Sequence, residues 1–211
     1  LAIYKSMSWR THGEEKYFGI CRGLIDIGYY DKAIMLLERG LRRFPKSHCL
    51  LVAIGFLHHR TGYNHIALKY FEQALKFYPD DRYALFNKSL ALNQLGCYEE
   101  AASILKQLIE QYPDDPFHLI EMGYSLISQG YDENAIGYYK GAKDLGYICP
   151  EIYDGLYCAY NNIGLQNTAL EIAEEGLREF PDVSYMYANL GHGYFERGWV
   201  DEARGILNEG L

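Results

Sequence analysis

The sequence predicts an all-α chain built as a stack of two-helix repeats. Three observations carry this. Glycine recurs every 34 residues, at Gly28, Gly62, Gly96, Gly130, Gly164 and Gly198. Alanine keeps the same step five residues later, at Ala33, Ala67, Ala101, Ala135, Ala169 and Ala203. Proline keeps it at Pro45, Pro79, Pro113 and Pro181, with Tyr147 in the place where the series breaks. A fixed period of this length marks a repeat architecture. Hydrophobic residues make up 49% of the 211 and charged ones only 23%, so there is apolar material for a core and a disordered tail is excluded.

The units run 14–47, 48–81, 82–115, 116–149, 150–183 and 184–211, the last incomplete, and 14–211 reads as one domain. Within each unit the apolar residues fall at helical spacing. In the second, Leu51, Ile54, Gly55 and His58 mark a first helix, and Ala67, Phe71 and Ala74 a second. The aligned glycine ends the first helix, because a left-handed backbone costs Gly least. The aligned proline ends the second by removing a donor and constraining the residue before it. Ser47, Asp81 and Asp115 then stand where a side-chain oxygen caps the next first helix. Pro116 and Pro150 take the first helical position. In the fourth unit, which lacks the terminal proline, Gly146 is expected to stop the helix about one residue early, leaving room for a shifted or loosened junction to the fifth unit.

Two columns explain how the helices pack. Ala33 and its equivalents let the helices of one unit approach closely. The column Gly40, Ala74, Leu108, Ala142, Gly176 and Gly210 is mostly small and suits docking of the next unit. Leu37, Phe71, Leu105, Tyr139 and Leu207 fill the space between, with Ala173 as a smaller exception. Residues 1–13 read as the end of a preceding second helix, with Ile3 and Ser6 in its columns, and the chain stops at Leu211 inside a second helix, so the sequence is expected to be a fragment or a chain whose missing ends are mobile.

These columns resemble the tetratricopeptide repeat. In the last unit the pattern is Tyr187, Leu190, Gly191, Tyr194, Gly198, Ala203 and Leu207, and the similarity covers 14–211 in about six repeats. The resemblance implies a right-handed α-solenoid superhelix of antiparallel helix pairs, with the first helices lining a concave groove. It is specific for fold and weak for function.

No residue pattern supports catalysis, a cofactor or a metal. His58, His59 and His65 have no carboxylate completing a metal motif, and His58 lies on a core column. The pairs Asp80–Asp81 and Asp114–Asp115 fall in the turns after proline, where capping accounts for them. Asn87-Lys88-Ser89 fits a glycosylation acceptor but lies in a predicted helix. Tyr29, Tyr63 and Tyr131 follow the aligned glycine, and Tyr78 and Tyr112 precede the aligned proline, all scaffold positions among the 21 tyrosines. The five cysteines, Cys21, Cys49, Cys97, Cys149 and Cys158, form no metal spacing and suit free thiols in a reducing cytoplasm. The net charge of −8 argues against nucleic acid. The longest nearly unbroken apolar run, Cys49 to Leu57, is too short to span a membrane.

Function should therefore lie on the first-helix face, at the positions one, four, five and eight residues after each unit's start. The residues expected to bind a partner are Phe18 and Arg22 in the first unit, and Val52 and Phe56 in the second. The third contributes Tyr83, Phe86, Asn87 and Leu90, and the fourth Phe117, Ile120, Glu121 and Tyr124. The fifth presents Glu151, Asp154, Gly155 and Cys158, and the sixth Tyr185, Ala188, Asn189 and His192. The apolar middle of this surface either holds an apolar or amphipathic polypeptide segment or packs sideways on the neighbouring first helix. Only Asn87 fits the carboxylate clamp that some tetratricopeptide repeats use, and Glu121 would repel such a ligand.

Charge divides unevenly. Residues 1–105 carry 14 Lys/Arg against 10 Asp/Glu, and residues 106–211 carry 6 against 18. Three functions follow as expectations: a non-enzymatic adaptor or scaffold that binds a protein segment in its groove, a homo-oligomer assembled through the repeat ends or groove, or the targeting part of a larger enzyme such as a glycosyltransferase.

Overall fold

The computed structural model describes residues 13–210, and every regular element among them is an α-helix. The expected helix end before residue 14 lies outside the described residues, apart from Gly13. Twelve helices follow in pairs: α1 Glu15–Asp26 and α2 Tyr30–Arg43, α3 His48–Arg60 and α4 Asn64–Phe77, α5 Arg82–Gln94 and α6 Tyr98–Gln111. Then come α7 Pro116–Ser128 and α8 Asp132–Asp144, α9 Pro150–Asn162 and α10 Gln166–Glu179, α11 Ser184–Glu196 and α12 Val200–Glu209. The chain forms two compact units divided within α6, after Ile104.

The repeat columns act at the helix ends as their chemistry requires. All six aligned glycines have φ between 76° and 84°, a left-handed turn that L side chains disfavour. Second helices end at Arg43, Phe77, Gln111 and Glu179, two residues before each aligned proline. Ser47 accepts from the Leu50 amide, Asp81 from those of Tyr83 and Ala84, and Asp115 from that of Phe117. Cys149 and Val183 hold the same place before α9 and α11 with no side-chain cap.

In the first unit α1 packs on α2, α2 on α3, α3 on α4 and α5, and α4 on α5. In the second, α7 packs on α8 and α9, α9 on α8, α10 and α11, and α11 on α10 and α12. The small columns permit this. Ala33, Ala67, Ala101 and Ala135 are fully buried. A Cβ on Gly40 would lie 3.3 Å from Leu50 on the next first helix, and one on Gly176 would lie 3.0 Å from the Met186 sulfur.

One pair of positions is filled from either side. Gly55 faces Phe71, Gly123 faces Tyr139 and Gly191 faces Leu207: small on the first helix, large on the second. In the fifth repeat the order reverses. Tyr157 on α9 is buried and belongs to one cluster with Ala173 on α10. The exception at Ala173 is thus a volume exchange that keeps interior density near that of close packing.

The expectation for the fourth repeat holds in one part and is corrected in another. Helix α8 is 13 residues where α10 is 14, and Gly146 follows it with φ 78°. The junction to the fifth repeat is not loosened, however. Tyr147, in the place of the missing proline, packs its ring 5.0 Å from that of Phe117. Lys143 on α8 lies 2.7 Å from Glu175 on α10, which also accepts from the Tyr153 hydroxyl at 3.0 Å. Those donors hold the Glu175 carboxyl below its ordinary range.

Candidate functional site

The sequence-derived binding residues divide by burial. Phe18, Val52, Phe86 and Ile120 are buried, so their side chains pack into the helix stack. Asn87 is 1% exposed and donates to the Tyr83 carbonyl at 2.7 Å within α5, which also closes it to glycan attachment. Phe56, Tyr83, Leu90, Phe117 and Glu121 are half-buried, and Arg22 and Tyr124 are exposed. Phe18 clusters with Cys49 and Leu50 of the second repeat, and Ile120 with Ile152 and Leu156 of the fifth, an arrangement no single repeat encodes.

On the first unit, α1, α3 and α5 carry Lys16, Arg22, Arg60, Arg82 and Lys88 against Glu15 and Asp26. His58 is half-buried there. Its ring stacks on Tyr70 at 5.6 Å, and Tyr70 donates to Glu38. Burial lowers the His58 pKa, with Glu38 opposing, so the neutral ring is favoured.

The second unit is opposite in kind. Helices α7, α9 and α11 contain Glu121, Glu151, Asp154 and Glu196 and no Lys or Arg. On α9, Glu151, Asp154, Gly155 and Cys158 share a face at i, i+3, i+4 and i+7. On α11, Tyr185 is 38% exposed, Asn189 donates to Asp154 at 2.9 Å, and His192 lies 2.6 Å from the Tyr157 hydroxyl. Burial, followed by Glu151 and Asp154, pushes the Tyr185 phenol up to about 12. Burial likewise pushes Cys158 up to about 11, so its thiol is not a reactive thiolate. These fifth- and sixth-repeat residues were visible in the sequence as face positions, but nothing there showed that they converge.

Among the described residues, no group of three or more His, Cys, Asp or Glu is placed to hold a metal, and no helix is long and apolar enough to cross a membrane. The arrangement offers surfaces for binding: the exposed rings of Tyr124 and Tyr185, and carboxylates on first helices that carry no Lys or Arg.

Comparison with known proteins agrees with this architecture. Residues 60–116 match the tetratricopeptide repeat family. No curated protein matches the chain in sequence. A tetratricopeptide repeat protein from Parabacteroides merdae is 19% identical with a TM-score of 0.77, over 94% of this chain and 79% of that one. MamA from Desulfovibrio magneticus is 19% identical with a TM-score of 0.71, over 80% and 95%. A thermophilic repeat protein of Thermus thermophilus is 21% identical with a TM-score of 0.72, over 87% and 100%. At these identities the likeness is one of fold.

Proposed function

We propose that the chain, whose residues 60–116 match the tetratricopeptide repeat family and whose twelve described helices fit about six such repeats, is a non-enzymatic adaptor holding a partner's polypeptide segment on its first-helix face. The fold is that of a protein–protein interaction scaffold. The observation that supports the finer reading is aromatic surface on first helices: Tyr124 is 42% exposed and Tyr185 38%. Large exposed rings are the residues that anchor interfaces. Within the first unit the sequence-derived face residues Phe18, Arg22, Val52, Phe56, Tyr83, Phe86, Asn87 and Leu90, and within the second Phe117, Ile120, Glu121 and Tyr124, supply contacts or the support beneath them. The free thiols of all five cysteines favour a cytoplasmic setting.

The test is capture from native lysate with wild-type bait and with a Tyr124→Ser/Tyr185→Ser bait of unchanged melting temperature. Loss of the captured partner by the variant is expected. Equal capture by both would refute the proposal.

The division of charge between the chain's halves supports a second reading, self-association of copies. Sedimentation across a salt series checks it, and a monomer at low salt and high concentration would remove it.

A further inference from the structure

The acidic face of the second unit has a floor. Tyr139 belongs to α8, a second helix, yet its phenolic end reaches the first helices. A Cβ on Gly123 would lie 2.7 Å from the Tyr139 ring, and one on Gly155 would fall closer still, on the carbon that bears the hydroxyl. The missing side chain at Gly155 is therefore the slot the phenol occupies, one residue from Asp154 and one turn from Cys158. Tyr139 is 3% exposed, and among the described residues its hydroxyl makes no hydrogen bond. Burial pushes this phenol far up, and Glu121, Asp154, Cys158 and Tyr124 are near enough to act on it. It therefore stays neutral, an unused donor and acceptor at the base of a carboxylate cluster.

Above it, Glu151 is hydrogen-bonded by the Cys149 side chain. Asp154 accepts from Asn189, and among the described residues neither Asp154 nor Glu151 has a Lys or Arg partner. Lys140 and Lys143, the basic residues of α8, sit over the rings of Tyr160 and Tyr153 instead. A hydroxyl on a buried ring, two carboxylates without Lys or Arg partners and an exposed Tyr185 ring share one ligand chemistry. A cation satisfies the carboxylates by charge, donates to the phenol oxygen and stacks on the ring.

We propose that the α9–α11 face receives a Lys or Arg side chain of a partner segment. In it Asp154 and Glu151 bind the charge, Tyr185 covers the aliphatic stem and the Tyr139 hydroxyl accepts a hydrogen bond from the tip. This rests on the adaptor reading and gives the partner its chemistry, a basic segment.

The experiment is fluorescence anisotropy with a labelled peptide of alternating Lys and Ala and its Glu–Ala counterpart. The Lys peptide binds, added salt weakens it, and the Glu peptide does not bind. Asp154→Asn, which keeps an acceptor for Asn189, weakens binding about tenfold. Tyr139→Phe, which keeps the packed ring, weakens it about fivefold. Glu171→Gln removes one exposed charge from α10 and leaves affinity unchanged. No binding of the Lys peptide, an equal loss in Glu171→Gln and Asp154→Asn, or wild-type affinity in both Asp154→Asn and Tyr139→Phe would overturn the assignment. So would self-association of the protein that Asp154→Asn abolishes, since a second copy would then be the occupant. The two proposals fail separately. A partner lost by Tyr124→Ser/Tyr185→Ser but retained by Asp154→Asn leaves the adaptor standing and removes the cation site.

Discussion

Phe71 and Tyr139 hold the same place in the second and fourth repeats, and their surroundings show how one scaffold makes two kinds of surface. Phe71 is wholly buried against Gly55. One repeat on from Phe71, the place equivalent to Gly155 holds Asn87, buried and bonded within its own helix. Tyr139 meets Gly123 and then Gly155, which sets its hydroxyl-bearing carbon against the helix that carries Asp154. The difference lies in one hydroxyl and one absent Cβ. A core position becomes part of a surface when the neighbouring repeat leaves room for it.

The largest effect should come from emptying the plain version of the pocket. Phe71→Ala removes a buried ring and is expected to cost about 3–5 kcal/mol in urea unfolding. Tyr139→Phe, by contrast, should leave stability within about 1 kcal/mol, since only the hydroxyl is lost. A cost near that of Phe71→Ala would mean that the hydroxyl supports the core and would break the comparison.

Closing the opening comes next. Gly155→Ala drives a methyl into the Tyr139 ring, with an expected loss of about 1–3 kcal/mol. The double variant with Tyr139→Leu should recover most of it. Unchanged stability in the single variant would show the slot to be slack.

The exchange at Tyr157 and Ala173 makes a related prediction. Ala173→Phe alone and Tyr157→Gly alone should each destabilise, while the double variant restores the usual order of sizes and couples favourably by about 0.5–3 kcal/mol. Simple additivity of the two losses would show that these residues do not share one space.

A smaller difference between the units lies at the helix starts. Asp81 caps α5, whereas Cys149 before α9 makes no cap. Asp81→Ala should lower stability by about 1 kcal/mol, and Cys149→Asp should raise it by a similar amount. Differential scanning calorimetry of the two variants checks both signs.

The smallest effect depends on pH. His58 occupies the place held by Tyr160 and Tyr194 in the second unit. Its folded pKa lies below the ordinary 6.5. The unfolded chain therefore binds the proton first, and the stability from the neutral ring, full above 6.5, is lost as the pH falls below that value. His58→Tyr should flatten the stability–pH profile in this window. A profile unchanged from wild type would show that another group titrates there.

Much of this architecture was legible from residue types alone. Gly28 and its equivalents fix left-handed turns, Pro45 and its equivalents stop second helices, and Ser47, Asp81 and Asp115 cap first helices. Each is a local effect of backbone chemistry, so the sequence displays it directly. The fate of the face residues was not legible in the same way. Whether Phe18 or Ile120 is buried depends on what it meets outside its own repeat. The reach of Tyr139 depends on Gly155, 16 residues on in the next repeat. Ala173 looked like an exception because its compensation sits on the other helix of the pair.

That compensation limits how the modules can be rearranged. Each hairpin has its own lock and key, cut as a matched set. A chimaera joining the first helix of the fourth repeat to the second helix of the fifth would set Gly123 opposite Ala173 and leave a hole. The reverse splice would set Tyr157 opposite Tyr139 and jam. Shuffling whole hairpins respects the cut, and shuffling single helices does not.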